Sequence, residues 1–225
     1  FSIILTLLLG IVGGKWLGVD KTISKLISGG TAICGGSAIA ALAPVLQAKK
    51  HQISVALGIV FILNAVALFI FPPIGQWFHL SQHQFGLWSA IAIHDTSSVV
   101  GAAAQYGDEA LKTATTVKLA RALWIIPVSL LFMVLNKGGG KVQIPYFIGF
   151  FILAMLVNTF LPGAETLSPL IVFIAKRGLV LALFLIGSGL SLKALKEVGL
   201  RPLLLGISLW IFISVSSLWV ISEAF

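Results

Sequence analysis

Lys118 and Arg121 stand three residues apart within residues 110–135, a stretch otherwise apolar enough to lie in a membrane. Residues at that spacing share one helix face. A charge at bilayer depth is costly, and it faces a protein or water-filled interior where it marks an ion or substrate path. If the helix starts near a membrane surface at Gly107 and Asp108, a rise of about 1.5 Å per residue puts Lys118 roughly 15 Å deep, close to the midplane. Two cations on one face at that depth predict that something anionic passes there.

A second set of polar residues follows from His94 and Asp95, which precede Thr96, Ser97 and Ser98. An imidazole beside a carboxylate can relay protons, so this pair is expected to couple or gate. The structural alternative is that Asp95 pairs with Lys118 or Arg121 and caps a half-helix. Ser37, Ser97 and Ser98, with backbone N–H groups freed near Gly35 and Gly36, can donate to an anion at a helix N-terminus. Serines in membrane helices also bond their own backbone or a neighbouring helix, which is their commonest use. Asn64 is expected to donate an interhelical hydrogen bond, with substrate contact as the alternative. Lys176 and Arg177 form either an internal charge pair or an outward, snorkelling one.

Composition narrows the class. Of 225 residues, 58% are hydrophobic and 10% charged, far below the roughly one quarter charged in a soluble protein. The single cysteine, Cys34, leaves no intrachain disulfide framework, and no Cys/His spacing predicts a metal site. No cofactor is expected. The net charge of +8 comes from Lys and Arg at the ends of apolar runs, where anchoring and orientation explain them better than nucleic acid does. Residues 138–140 are a Gly-Gly-Gly run without the Lys-Ser/Thr ending of a phosphate loop, and are expected to be a linker.

Apolar spans are predicted over residues 1–17, 53–78, 110–135, 144–161, 167–192 and 202–221, with Pro72 and Pro73 expected to end the second. Between them, residues 28–48 and 88–105 are rich in Gly, Ala, Ser and Thr. Small residues allow close helix packing, and Gly35-Gly36 can interrupt a helix so that backbone groups line a cavity. Superposed, the two stretches align Ala32 with Ala92, Ile33 with Ile93 and Ser37 with Ser97, and each is followed by a long span. If both dip in and return, the lysines at 15, 21, 25, 49, 50, 137, 141, 193 and 196 and Arg201 share one side, cytoplasmic by the positive-inside rule. The expected fold is therefore an all-α polytopic membrane protein with inverted repeats and two interrupted or re-entrant helical elements. It forms a single transmembrane domain over residues 1–225. The opening at Phe1, inside an apolar segment, is expected of a fragment whose native N-terminal helices are missing.

The run from Gly30 to Ala41 with Ala43-Pro44, then Phe85 to Trp88, Ile93-His94-Asp95 and Thr116 to Arg121, resembles the bacterial sulfate exporter family of conserved inner-membrane proteins. The likeness extends over essentially the whole chain. Where many relatives have His-Glu, this chain has the shorter His94-Asp95. The resemblance implies a carrier of about ten helices, distantly related to bile-acid and arsenite type carriers, in the bacterial inner membrane.

The function expected from the sequence is secondary transport of a small anion, sulfate or a sulfonate-like molecule, driven by an ion gradient. Substrate binding falls to Lys118, Arg121, Ser37, Ser97, Ser98, Gly35 and Gly36, and coupling, with a proton as the candidate ion, to His94 and Asp95. The lipid bilayer is the expected surroundings, and a homo-oligomer is compatible with the sequence. The alternatives are a passive anion channel lined by the same cations, and an intramembrane hydrolase built on Ser37 or Ser97 with His94 and Asp95. No nucleophile-elbow context supports the hydrolase, so no enzyme is expected.

Overall fold

The computed structural model describes residues 2–136 and 199–224, with part of the stretch 149–184. Its fully described helices are α1 (Ser2–Trp16), α2 (Lys21–Ala32), α3 (Gly36–Val45), α4 (Lys50–Trp77), α5 (Gln82–Ala92), α6 (Thr96–Tyr106), α7 (Asp108–Ala122), α8 (Ile125–Asn136) and α9 (Leu200–Ala224). The protein is an all-α membrane protein, and among the described residues three stretches are long and apolar enough to cross a membrane: Lys50–Trp77, Asp108–Leu135 and Leu200–Glu223. The predicted spans over residues 144–161 and 167–192, and the 138–140 linker, fall largely outside the described residues. Of the 176–177 pair, Arg177 is described; it is exposed and sits over the Phe173 ring at 5.2 Å.

Local chemistry accounts for the helix boundaries. Asp20 accepts from the N–H groups of Thr22 and Ile23 at the start of α2. Ser81 and Gln84 form a reciprocal capping box at the start of α5. Helix α4 runs through Pro72 and Pro73 to Trp77, where the sequence predicted a stop. Two adjacent prolines near a helix end remove two N–H donors, but their fixed φ is helical, so the last turn persists. Pro127 acts differently: its missing N–H and bulky ring disturb the turn before it, and α7 gives way to α8 at Leu123 and Trp124.

Each interrupted element returns to the end where it began. Gln52, in the first turn of α4, donates to Asp20 at the start of α2 at 2.9 Å, so α2 and α3 bring the chain back beside its starting point. The last turn of α2 meets α3 directly, because a Cβ on Gly29 or Gly30 would run into Leu42 or Ile39. At the other end of α4, Tyr106 donates to the Leu80 carbonyl at 2.7 Å, and the Glu109 N–H donates to Gln82 at 3.1 Å. The α2–α3 and α5–α6 elements thus enter from opposite ends of α4, a helix about 42 Å long. They are longer than the small-residue stretches predicted, starting at Lys21 and Gln82 instead of residues 28 and 88. Their first turns are more polar than their cores, so small-residue composition alone hides them.

Small residues set the packing distances. Gly10 and Gly14 of α1 lie against Ser28 and Ser24 of α2, with the Ser24 hydroxyl donating to the Gly10 carbonyl at 2.9 Å. Gly86 of α5 brings that helix onto the backbone of α7 at Ala110, and Gly206 of α9 fits against Ile59. An aromatic group of Phe71, Trp88 and Trp210 joins α4, α5 and α9, and the Trp88 indole donates to the Ser214 carbonyl at 2.9 Å. Outward faces of α8 and α9 carry Leu130, Leu131, Val134, Ile211, Val215 and Trp219, as a lipid-facing surface should.

Candidate functional site at the crossing of two interrupted helices

The breaks lie at Ile33-Cys34-Gly35 and Ile93-His94-Asp95, sixty residues apart in register. Ala32 and Ala92 are the last helical residues before each break, and Ser37 and Ser97 are the second residues after it. The two breaks touch. A Cβ placed on Gly35 would sit 3.3 Å from both the Asp95 nitrogen and the His94 carbonyl carbon. Both meet the middle of α4, where the Asn64 Oδ1 accepts from the His94 and Asp95 N–H groups at 3.1 and 3.2 Å.

A helix end leaves carbonyls without intrahelical partners, and in a membrane these cannot turn to water. Backbone N–H groups of Ile33 and Gly35 take the Gly29 and Gly30 carbonyls, and Ile93 takes that of Ser89. Four further carbonyls at the breaks are met by the cations of α7. Lys118 Nζ donates to the carbonyls of Ile93 at 2.7 Å, Ile33 at 3.2 Å and Ala90 at 3.3 Å, and one Arg121 Nη donates to Ala32 at 2.5 Å. Lys118 is 1% exposed and Arg121 8%. The three ammonium protons are therefore all committed, in contrast to the direct neutralisation of an anion that the sequence suggested for Lys118. The physical reason is the half-helix dipole: two C-terminal ends converge here, each carrying roughly half a negative charge. Arg121 differs, because its Nε and other Nη have no partner among the described residues.

The restarting helices are closed unequally. Asp95 Oδ2 accepts from the Ser97 N–H at 3.0 Å, capping α6. Gly35 offers α3 no side-chain cap, so its first N–H groups have none. Ser37 and Ser97 are half-buried, Ser98 is buried, and Gly36 lies near Phe61 and Leu57 of α4. Asp95 thus takes the capping part of its structural alternative, while the hydrogen-bond partners of Lys118 are backbone carbonyls. The His94 ring is fully buried, and neither nitrogen has a partner among the described residues.

Asn64 is the site residue whose role the sequence understated. It accepts from two amides of the second break, where an interhelical donor was expected, and its Nδ2 has no partner among the described residues. Its position midway along a long apolar helix, where an amide is costly to leave unpaired, is the signal that points to it. No group of three or more His, Cys, Asp or Glu capable of holding a metal lies among the described residues. Two grooves, of about 320 and 390 Å³, run beside α9. Their linings are mainly apolar and include none of the crossing residues.

The family model described as "Conserved hypothetical protein 698" matches residues 1–206. Relatives named UPF0324 membrane proteins include one from Bacteroides thetaiotaomicron, 56% identical over 220 residues that make up 96% of this chain and 67% of the relative. One from Shewanella oneidensis is 54% identical over 218 residues, covering 96% and 69%. One from Geobacter sulfurreducens is 50% identical over 213 residues, covering 95% and 69%. No solved structure matches the chain. The chain therefore belongs to the conserved hypothetical 698 family of membrane proteins.

Proposed function

We propose that the chain is the core of a multi-pass secondary transporter for a small anion in the bacterial inner membrane, with the substrate bound where the two breaks cross. One observation carries this reading: the crossing holds more positive than negative charge among the described residues. Four half-helix ends meet there, two positive and two negative, and cancel to a first approximation. Asp95 offsets one of the two buried cations, which leaves about one positive charge for a substrate to balance. A buried charge without compensation is unfavourable, so an anion binds with a large electrostatic gain. Arg121 has unpartnered donors to offer it, and the uncapped start of α3 at Gly36 and Ser37 offers backbone N–H groups. Lys118 supports the site by holding both breaks together.

The arrangement of elements supports a carrier. Interrupted helices entering from opposite ends and meeting near the middle of a long span is the layout of carriers built from inverted repeats. The ends bearing Lys21, Lys25, Lys49 and Lys50 lie together, so that side is cytoplasmic by the positive-inside rule. His94 and Asp95 adjoin the site without bonding Lys118 through their side chains, and we assign them the proton-linked or gating step. A hydrolase is disfavoured, because the His94 ring hydrogen-bonds neither Ser37 nor Ser97. The sulfate exporter resemblance supports an oxyanion or sulfonate as substrate.

Uptake of labelled sulfate, thiosulfate and taurine into proteoliposomes of the full-length protein, with and without a pH gradient, tests the proposal. Gradient-dependent uptake of at least one anion is expected, with a loss of more than about tenfold in Arg121→Gln, the scale of one lost charge-assisted contact. Wild-type uptake by Arg121→Gln would remove Arg121 from the site. Uptake that merely equilibrates, unaffected by the gradient, would favour a channel.

A further inference from the structure

The carbonyl oxygens of Ile33, Ala90 and Ile93 come from two separate elements, yet all three lie within 3.3 Å of one point, the Lys118 Nζ. Carbonyl oxygens arranged around a single point are the ligands with which proteins replace the hydration shell of a monovalent cation. The negative ends of α2 and α5 add to the attraction. Helix α7 supplies the cation through a side chain and so fixes the two breaks against each other without any bound ion. We propose that these three carbonyls form a monovalent-cation site whose resident occupant is the Lys118 ammonium. Once that ammonium is removed, the site accepts a free cation of similar size, potassium or methylammonium before sodium.

The preference follows from fit. Ammonium and potassium are close in size, and the spacing here is set for an ammonium. Sodium is smaller and needs its ligands nearer, which would draw together two helix ends already held apart by Gly35 packed on His94 and Asp95. The space vacated by the lysine stem admits water to complete the coordination shell. In the wild-type protein the site is filled from within, so an external alkali cation adds nothing at this position.

Thermal unfolding of the full-length protein in choline, sodium, potassium and methylammonium chloride at equal ionic strength tests this, using wild type, Lys118→Ala and Lys118→Met. The wild type should melt at the same temperature in all four salts. Lys118→Ala should melt roughly 10 °C lower in choline and recover most of the loss, in a dose-dependent way, with methylammonium or potassium. Lys118→Met, which fills the stem space without a charge, should stay low in every salt. Three results would overturn the proposal: wild type stabilised by sodium or potassium over choline; Lys118→Ala as stable as wild type in choline; and Lys118→Ala low, or unfolded, in all four salts. None of these readouts depends on what the protein carries.

Discussion

At the first break the chain turns through Gly35 at φ 65° and ψ −122°, whereas at the second Asp95 stays extended at φ −91° and ψ 144° and caps the next helix with its own carboxylate. The two positions correspond, sixty residues apart, and their backbones are both required to stop one helix, present its carbonyls to α7 and start another. A glycine meets that requirement through a conformation that side chains avoid. Aspartate meets it through ordinary backbone angles, with Asn64 holding the amides of His94 and Asp95 and the carboxylate closing the new helix. The first break is thus a close-packing device, and the second carries the His94 and Asp95 side chains. Two breaks built from such different residues both present carbonyls to the cations of α7.

The sharpest way to break this comparison is at Gly35. Gly35→Ala would place a methyl group 3.1 Å from Val60 and 3.3 Å from the second break, on a backbone conformation that alanine rarely adopts. The expected loss is about 2–4 kcal/mol, from backbone strain and overpacking together. Denaturant unfolding of the purified protein checks it, and a loss below about 0.5 kcal/mol would mean that the breaks do not pack as described.

Asn64→Leu should come next, at about 2 kcal/mol, since it leaves the buried N–H of His94 and the partly buried N–H of Asp95 without their acceptor. Asn64→Asp keeps both acceptor contacts and sharpens the test. Hydrogen exchange at His94 and Asp95 should rise in the leucine variant and stay closer to wild type in the aspartate variant. Equal exchange in both would show that Asn64 is not their partner.

The largest transport effect is expected at the position matching Gly35. Asp95→Ala loses one helix cap, worth about 1 kcal/mol, together with the carboxylate that offsets a buried cation, and should abolish gradient-driven uptake in proteoliposomes. Uptake that falls only in proportion to the folded fraction would reduce Asp95 to a cap. The contrast with Gly35→Ala is the informative quantity: large in stability at the first break, large in transport at the second.

Much of this arrangement was legible in the residues. The alignment of Ala32 with Ala92 and of Ser37 with Ser97 bracketed both breaks, although Gly36, expected to interrupt the first element, opens α3 instead. The burial of Lys118 and Arg121 was legible from the cost of a charge inside an apolar stretch. Their partners were not, since backbone carbonyls are present at every position and only the fold decides which ones are left open. The first turns of α2 and α5 were also hidden by their polarity, although the Ser81 to Gln84 pattern is a capping-box signature that marks the start of α5. Pro72 and Pro73 predicted a helix end one turn early, because proline's effect depends on whether the preceding turn has other ways to bond.

Contact between the two breaks is the claim on which the site, the charge balance and the cation cage all depend, and thiol cross-linking tests it most directly. Cys34 is the single cysteine of these 225 residues and lies in the first break. In a full-length protein with every other cysteine replaced, Asp95→Cys should join Cys34 through a short bis-thiol reagent, seen by mass spectrometry of the cleaved chain. Lys112→Cys, exposed on α7, should not. Cross-linking of Asp95→Cys no greater than that of Lys112→Cys would contradict the crossing, and with it the placement of the anion site.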